Sequence, residues 1–471
     1  MSNSGKVIVK IVAVILMVTL FSISSPAGDI TVKSYILDVT FTPEAASMEG
    51  VADITFTTPL KTDQTYSFYL HGELRVNSIQ SNGKKLEFDQ ELVLYGGDYS
   101  AVAKKITFSL SGATASSITV HYLGQLNPSV VRSPSNYMRV DPSGVYLRAY
   151  YYSVWFPIFQ ESGEDPYNVD FPKVTIRTPQ KFKAVFTGTR VREHVTDGMR
   201  ISEWTSMNTS LIYAQVTARE YEIIRENENY VYHLPDENSR KIAEQVVTRI
   251  QKIVDLCKTY YRENALSGQV HVMQMPKYGD ISSGNVVGMS PRIWNDFGKD
   301  PYSVSTLIHE LVHPFTGMHV KNSNPLYSLT AEGFPSYFHL PVMEDFYGEK
   351  FYKEYMSRVE QNYLYKKEHG KSRRGFAIPP EKPILEISAG ELSRYKDVFI
   401  LNDRVRLFLN YLRVKMGKTT FTVFTRELFS IEDITVAKLI DLIEKHLPGS
   451  RKDVELWLTT NEYPERFRLK Q

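Results

Sequence analysis

Short stretches in which hydrophobic and polar residues alternate fill the chain from Asp29 to about Arg225. In Tyr35–Phe41 and Val51–Phe56, every second residue is apolar, as expected of strands that bury one face. The pair Asn82-Gly83 is a strong hairpin signal, because both residue types tolerate a positive φ. Runs long enough for amphipathic helices are nearly absent. We therefore predict an antiparallel, sandwich-like or saddle-shaped β domain over residues 28–228.

A helical spacing begins after a domain boundary near residues 226–235. The apolar residues that follow recur three or four positions apart: Ile242, Val246, Ile250, Ile253 and Cys257. This spacing predicts an amphipathic helix with Asn238-Ser239 as its cap. Two further helices are predicted over Ser393–Gly417 and Thr435–His446. The second domain, residues 229–471, should therefore be mostly helical, which makes the fold class α+β.

Two strand-like segments interrupt this helical pattern. Gln269–Met275 has the composition of a buried strand. Gly284–Pro291 follows it and is predicted to be an edge segment, since its glycines allow another backbone to approach closely.

The first residues have the pattern of a secretory signal peptide. Lys6 and Lys10 precede an apolar run over residues 11–21, and small residues follow as far as a cleavage position after Ala27. The apolar run is shorter than the roughly 20 residues that span a membrane. We therefore expect residues 1–27 to be removed and the protein to be exported, either to a periplasm or out of the cell. An uncleaved membrane anchor is the alternative.

Charge and cysteine content narrow the possible functions. The chain has 55 Lys and Arg and 53 Asp and Glu, and removing the two lysines of residues 1–27 leaves 53 of each sign. A neutral mature chain gives no electrostatic case for nucleic-acid binding. Cys257 is the only cysteine, so no intramolecular disulfide forms, and its place on the apolar helix face predicts a buried thiol.

The residues with the strongest chemical signal are His309-Glu310-x-x-His313, in an apolar run compatible with a helix. Residues four apart lie above one another on a helix, so His309 and His313 can bind one metal ion. Glu310 then borders the open coordination position, where a general base is needed. This pattern predicts a zinc site with hydrolytic chemistry.

Two residues are candidates for the third metal ligand. Glu332 lies 19 residues after His313, at a predicted helix start with Thr330 as its cap. His319 lies six residues after His313, the spacing of metzincins, but Thr316 occupies the position where that pattern has a glycine. The spacing favours Glu332, and His319 is the alternative.

The motif with Glu332-Gly333-Phe334 after eighteen intervening residues resembles the gluzincin zinc metallopeptidases of the aminopeptidase N family. The resemblance implies a thermolysin-like catalytic domain, one zinc ion on His309, His313 and Glu332, and peptide or protein substrates. Tyr395 lies 63 residues after Glu332, in a context similar to the family's Tyr-x-Lys-Gly. The resemblance implies that Tyr395 donates a hydrogen bond to the oxyanion of the tetrahedral intermediate.

Several residues depart from the family pattern. Gly288 and Met289 match its Gly-x-Met-Glu-Asn substrate-binding segment, but Ser290 stands where the glutamate binds the substrate's α-amine. His339 replaces a supporting glutamate seven residues after Glu332, and Ala331 replaces an asparagine. The long carboxy-terminal helical domain of larger relatives has no counterpart here, which implies a more open cleft.

Two functions are compatible with this pattern. The first is an exported zinc metallopeptidase, similar to aminopeptidase N but with a degenerate amine anchor. The alternative is a non-catalytic, zinc-containing relative that binds peptides or acts as a scaffold. The intact Glu310 and Tyr395 favour the enzyme, because a structural metal site needs neither.

Overall fold

A computed structural model describes the greater part of the chain. It covers residues 30–95, 101–110, 112–126, 138–148, 154–159, 168–263, 265–266, 268–275, 281–316, 324–373, 375, 377–388, 391–392, 400–431 and 434–469. The predicted signal peptide, His319 and Tyr395 lie outside these residues.

Strands make up the N-terminal region. They are β1 Val32–Thr42, β2 Ser47–Leu60, β3 Thr65–His71, β4 Leu74–Ser81, β5 Lys84–Leu86, β6 Phe88–Tyr95, β7 Ala101–Ser109, β8 Ala115–Gln125, β9 Met138–Asp141, β10 Gly144–Arg148, β11 Asn168–Pro179, β12 Lys183–Phe186, β13 Thr189–Thr196, β14 Met199–Ser210 and β15 Gln215–Arg219. The described strands form an eight-stranded sheet (β13-β14-β11-β1-β2-β8-β4-β5), a four-stranded sheet (β12-β15-β10-β9) and a three-stranded sheet (β3-β7-β6).

The alternation seen in the sequence is the burial pattern of these strands. In β1, Tyr35, Leu37 and Val39 are buried, while the residues between them are wholly or partly exposed. Asn82 and Gly83 have φ angles of 50° and 75° and join β4 to β5, which confirms the predicted hairpin. Among the described strands β1 to β15, the pairing is antiparallel except between β1 and β11, which run parallel.

A second region follows, with a sheet and then helices. Its strands are β16 Glu222–Glu226, β17 Asn229–His233, β18 Val270–Gln274, β19 Ile281–Ser283 and β20 Val286–Met289. Its helices are α1 Glu237–Tyr260, α2 Pro291–Asp296, α3 Pro301–Thr316, α4 Phe334–His369, α5 Ile400–Met416, α6 Lys418–Ser430, α7 Val436–His446 and α8 Arg451–Thr459. The predicted α+β class is confirmed. Among the described residues, no helix is both long and apolar enough to cross a membrane.

The five-stranded sheet β16-β17-β18-β20-β19 lies between two hydrophobic cores. Tyr230 and Tyr232 of β17 join the core of the N-terminal region, whereas Val231 between them joins the core of the helices. On β18, Met273 joins the core of the N-terminal region and Val272 joins the core of the helices. Successive side chains of a strand point to opposite faces, so each strand contributes to both cores.

The structure corrects two sequence predictions in this region. The predicted edge segment contains β20, which is an internal strand, because it pairs with β18 on one side and β19 on the other. The cap of α1 is Asp236, whose carboxylate accepts a hydrogen bond from the Ser239 backbone N–H at 2.9 Å. The predicted cap, Asn238-Ser239, lies inside the helix.

Other predictions for the helices hold. Cys257 is buried on α1, and burial raises the pKa of its thiol. The helix α7 begins as predicted after Thr435, whose hydroxyl accepts a hydrogen bond from the Lys438 backbone N–H at 3.2 Å. The predicted helix over Ser393–Gly417 is described from Ile400 onward, as α5.

A buried polar cluster, here called the arginine network, joins α4, α5 and α8. Arg404 of α5 has a side chain that is only 1% exposed. Its guanidinium donates to Glu381 at 2.9 Å, to the Tyr363 hydroxyl at 3.2 Å and to the Trp457 carbonyl at 3.0 Å. It also donates to the Thr460 carbonyl. Since buried charges must be paired, this network ties the end of the chain to the central helices.

Candidate metal centre

The helix α3 carries the His-Glu-x-x-His motif with its two histidines on one side. The Asp300 carboxylate caps the helix by accepting from the Ser303 backbone N–H at 2.9 Å. Residues such as Leu307 and Leu311 pack into the core of the helices. His309 and His313 are half-buried on another face. The apolar face thus fixes the helix, and the histidines are left pointing into a cleft.

The two histidines converge on one point. Their Nε2 atoms are 3.2 Å apart and their rings are nearly perpendicular, at 88°. Glu310 lies beside them, with Oε2 3.9 Å from His313 Nε2 and a side chain that is 11% exposed. The ligand atoms of His309, Glu310 and His313 all lie within 4.8 Å of one another.

Pro314 follows this group directly and cannot donate a helical hydrogen bond to Glu310. Pro314 lies inside α3, which is described as far as Thr316.

Glu332 approaches the same point from a second helix. It lies in a π-helical turn, Leu329–Gly333, immediately before α4. Its Oε2 is 3.8 Å from His309 Nε2, and its side chain is 14% exposed. Widened turns of this kind occur frequently at functional sites.

The predicted cap at Thr330 is wrong. The Thr330 hydroxyl lies within the helical segment and donates to the Leu326 carbonyl at 3.1 Å.

Gly333 lets the π-helical turn lie close against α5. A Cβ atom added to Gly333 would be 3.0 Å from Cγ2 of Val405, which is closer than side chains normally pack. Val405 is fully buried. The position of Glu332 therefore depends on contact between a glycine and a valine of α5.

The residues present fit a zinc ion. With bonds of about 2.0–2.2 Å at tetrahedral angles, two ligand atoms of one zinc lie roughly 3.3–3.6 Å apart. The measured separations of 3.2 Å between the two histidines and 3.8 Å between His309 and Glu332 lie on either side of that value. Two imidazoles and one carboxylate form a donor set typical of catalytic zinc, which leaves a fourth position open.

His339 is a neutral neighbour of this centre. Its ring lies 5.7 Å from the ring of His309, and its Nδ1 is 3.0 Å from the Pro335 carbonyl oxygen. A carbonyl oxygen only accepts, so Nδ1 carries the proton. Burial, followed by the charges of Arg406 and His309, lowers the pKa of His339 well below its usual value. This position therefore holds a neutral ring where the resemblance implies a carboxylate.

The predicted substrate-binding residues lie at the end of β20. The backbone of Gly288 is paired with Met273 on one side and Ile281 on the other. Ser290 caps α2, where its hydroxyl accepts from the Ile293 backbone N–H at 3.5 Å. In the described part of this sheet, the outermost strand on that side is β19, which lies against α3.

A cavity of about 380 Å³ opens beside His309, and its walls include Tyr302, Tyr355 and Arg406. The sequence pattern did not indicate these residues. Tyr302 lies seven residues before His309 and therefore on the same helix face. This spacing is the one sequence signal that could have indicated it. Tyr355 and Arg406 belong to α4 and α5, and only the tertiary fold brings them here.

The comparisons with known proteins agree with this description. Neither a protein-family profile nor a curated protein matches the sequence. The chain is similar in structure to an M1 zinc metallopeptidase from Deinococcus radiodurans bound to a Tyr-Ser-Ala substrate, with a TM-score of 0.66, 15% identity and coverage of 92% of this chain and 95% of that one. It is also similar to leukotriene A4 hydrolase from Saccharomyces cerevisiae, with a TM-score of 0.65, 15% identity and coverage of 94% and 70%. The chain therefore has the fold of these proteins.

Proposed function

We propose that this protein is a zinc-dependent metallopeptidase of the M1 family. The observation that carries the proposal is the convergence of His309, His313 and Glu332 from two helices, with Glu310 beside them. The fold shared with M1 zinc metallopeptidases supports it. A metal cluster without a neighbouring base would not support a hydrolase, and the fold alone would not support one either.

Each residue of the centre has a distinct role in the proposed reaction. His309, His313 and Glu332 would hold the metal, which when bound would supply Lewis acidity to the scissile carbonyl and to a water molecule. Glu310 accepts a proton from the attacking water and delivers it to the leaving amine. Its side chain is only 11% exposed, so the carboxylate lies in a partly dry environment.

Two further roles are proposed from the sequence resemblance. Tyr395 would donate a hydrogen bond to the developing oxyanion. Gly288, Met289 and Ser290 would lie near the bound peptide, although the strand β20 is internal and β19 is the outermost described strand on that side of the sheet. Neither Ser290 nor the described strand Ile281–Ser283 supplies a carboxylate, so we propose that a free amino terminus is recognised only weakly.

A second function is favoured by one observation. The neutral His339 beside His309 removes a negative charge that would raise the basicity of the metal ligands, and such neighbours can change affinity or activity 10-fold to 100-fold. A non-catalytic, zinc-containing peptide-binding protein is therefore the alternative.

We also propose that the protein is exported. The support is the basic, apolar and small-residue sequence of residues 1–27. The substrate would then be a peptide or protein outside the cytoplasm, and membrane association would depend on that segment remaining uncleaved.

Zinc content and cleavage of a mixed peptide library test the main proposal, with wild type beside Glu310→Gln and Tyr395→Phe. We expect about one zinc per chain in all three proteins. Glu310→Gln should lose at least about 100-fold in rate, because general-base assistance contributes 10²- to 10⁴-fold. Tyr395→Phe should also be slower. Glu237→Gln, on the exposed start of α1, is the matched control.

Zinc-loaded wild type that cleaves no peptide but still binds peptides would establish the non-catalytic alternative. Equal rates for wild type and Glu310→Gln would show that a different site is responsible for the activity.

A further inference from the structure

The cavity beside His309 has an aromatic wall and a partly buried cation. Tyr302 of α3 and Tyr355 of α4 have ring centroids 5.9 Å apart, and both line the cavity. The guanidinium carbon of Arg406 lies 5.9 Å from the centroid of the Tyr355 ring. Two tyrosine rings and a guanidinium therefore line the cavity beside His309.

Arg406 is held in place but keeps donors for a ligand. Its Nε donates to the Ser336 carbonyl at 2.7 Å, and one terminal nitrogen donates to Asp403 at 3.3 Å. A guanidinium has five N–H donors, so these two bonds do not exhaust it. Asp403 also pairs with Lys366. A single buried carboxylate thus lies between two cations, which favours the approach of another anion.

The acidic residues of the cavity already have partners. Asp300 caps α3, and Asp296 is paired with Lys299 at 3.2 Å. Arg292 is exposed at the cavity wall and has no ion-pair partner among the described residues. Arg292 can therefore bind a carboxylate of a ligand.

His339 adds a group suited to a peptide. It lines the same cavity, and its buried Nε2 has no hydrogen-bond partner among the residues that the structure describes. Since Nδ1 carries the proton, Nε2 is an acceptor that suits a peptide N–H. An acceptor and two cations in one cavity match an amide and a nearby carboxylate of a ligand.

We infer that this cavity binds a carboxylate of the substrate close to the scissile bond, with Arg406 and Arg292 as its partners. The inference rests on the proposed peptidase function and specifies its substrate class. The carboxylate comes either from an Asp or Glu side chain or from the free carboxy terminus of a short peptide. Both present the same planar group to a guanidinium, which binds it through two parallel hydrogen bonds.

Matched peptides distinguish these sources. One pair differs by Glu against Gln at each position flanking the scissile bond, and a second pair differs by a free acid against an amide at the carboxy terminus. We expect wild type to prefer one acidic member by about 10-fold to 100-fold in kcat/KM, as for hydrogen bonds to charged groups. Arg292→Gln and Arg406→Gln should each reduce that preference, and Arg406→Lys should retain part of it.

Controls separate a loss of recognition from a loss of folding. Arg240→Gln, at an exposed position of α1 and outside the residues that line the cavity, should leave the preference unchanged. If Arg406→Gln fails to fold, Arg292→Gln decides, because its side chain is exposed.

Calorimetric binding of the same peptides to zinc-loaded Glu310→Gln protein gives a second readout that needs no turnover. Equal dissociation constants and equal kcat/KM values for the acidic and neutral members of each pair overturn the inference. If cleavage occurs without that preference, the peptidase proposal survives alone; if cleavage is absent, the calorimetric preference decides the inference by itself.

Discussion

Two groups of polar side chains lie near each other in the helical region and differ in how they are paired. In the arginine network, the positive charge of Arg404 is paired with the carboxylate of Glu381 and with backbone carbonyl groups. In the metal centre, the atoms brought together are those of ligands, with the two histidine Nε2 atoms only 3.2 Å apart. The first arrangement is stable by itself, whereas the second is suited to a cation. A polar cluster therefore indicates a binding site when its atoms are ligands that need a cation between them.

Three consecutive residues of α5 connect the two groups. Arg404 belongs to the arginine network, Val405 contacts Gly333 beside Glu332, and Arg406 lines the cavity. Substitutions at these and related positions should separate stability from metal binding if the comparison is correct.

The largest effect is expected at the metal centre. Glu332→Ala should lose zinc completely on dialysis, whereas His319→Ala should keep about one zinc per chain, because the carboxylate completes the ligand set. Metal analysis of both purified variants provides the measurement. In the presence of a chelator, Glu332→Ala and wild type should unfold at similar denaturant concentrations. Zinc retained by Glu332→Ala and lost by His319→Ala would contradict the ligand assignment.

Arg404→Met should have the opposite result. Removing the guanidinium leaves buried carbonyl groups and Glu381 with fewer partners, so the free energy of unfolding should fall by about 3 kcal/mol. The folded variant should still bind one zinc per chain. Denaturant unfolding beside the exposed control Arg240→Met measures the loss. A folded Arg404→Met protein without zinc would show that the two groups are not separable.

Gly333→Ala should affect both stability and zinc binding, because Gly333 lies at the contact between the π-helical turn that carries Glu332 and α5. The new Cβ would press on Val405 from 3.0 Å, and we expect a loss of about 1–2 kcal/mol in stability. Zinc affinity should fall by less than about tenfold, as Glu332 shifts. Competition with a zinc chelator gives the affinity. The double variant Gly333→Ala/Val405→Ala should recover it, and failure to recover it would mean that Val405 does not position Glu332.

The smallest effect is expected at the start of α1, away from both groups. Asp236→Ala removes the observed cap and should cost about 1 kcal/mol in unfolding free energy. Asn238→Ala, at the cap that the sequence predicted, should cost almost nothing. Zinc binding should not change in either variant. Equal costs would show that the cap hydrogen bond contributes little to α1.

Local signals in the sequence predicted what depends on nearby residues. The hairpin at Asn82-Gly83 and the helix after Thr435 need only their own neighbours, and both are found. The four-residue spacing of His309 and His313 likewise determines their separation once a helix forms. Glu332 approaches the histidines through a tertiary contact, and its spacing and predicted helix start favoured it before the family resemblance was considered.

Tertiary pairing explains what the sequence did not predict. The composition of residues 284–291 is that of an edge strand, yet β19 turns back beside β20 and makes it internal. Asp236 replaces the predicted cap because α1 begins two residues earlier than its apolar spacing required. Arg406 lies 97 residues after His309 in the sequence, and no pattern links the two before the helices pack.

The sheet shared by the two cores limits how far this fold can be divided into modules. A fragment beginning at residue 229 would carry the metal centre, but it would also expose Tyr230, Tyr232 and Met273, which are buried in the other core. We expect such a fragment to aggregate, and grafting the helical region onto another protein to require a matching β layer. Changes in the β region and the helical region are therefore coupled, both for an engineer who recombines them and for natural variation.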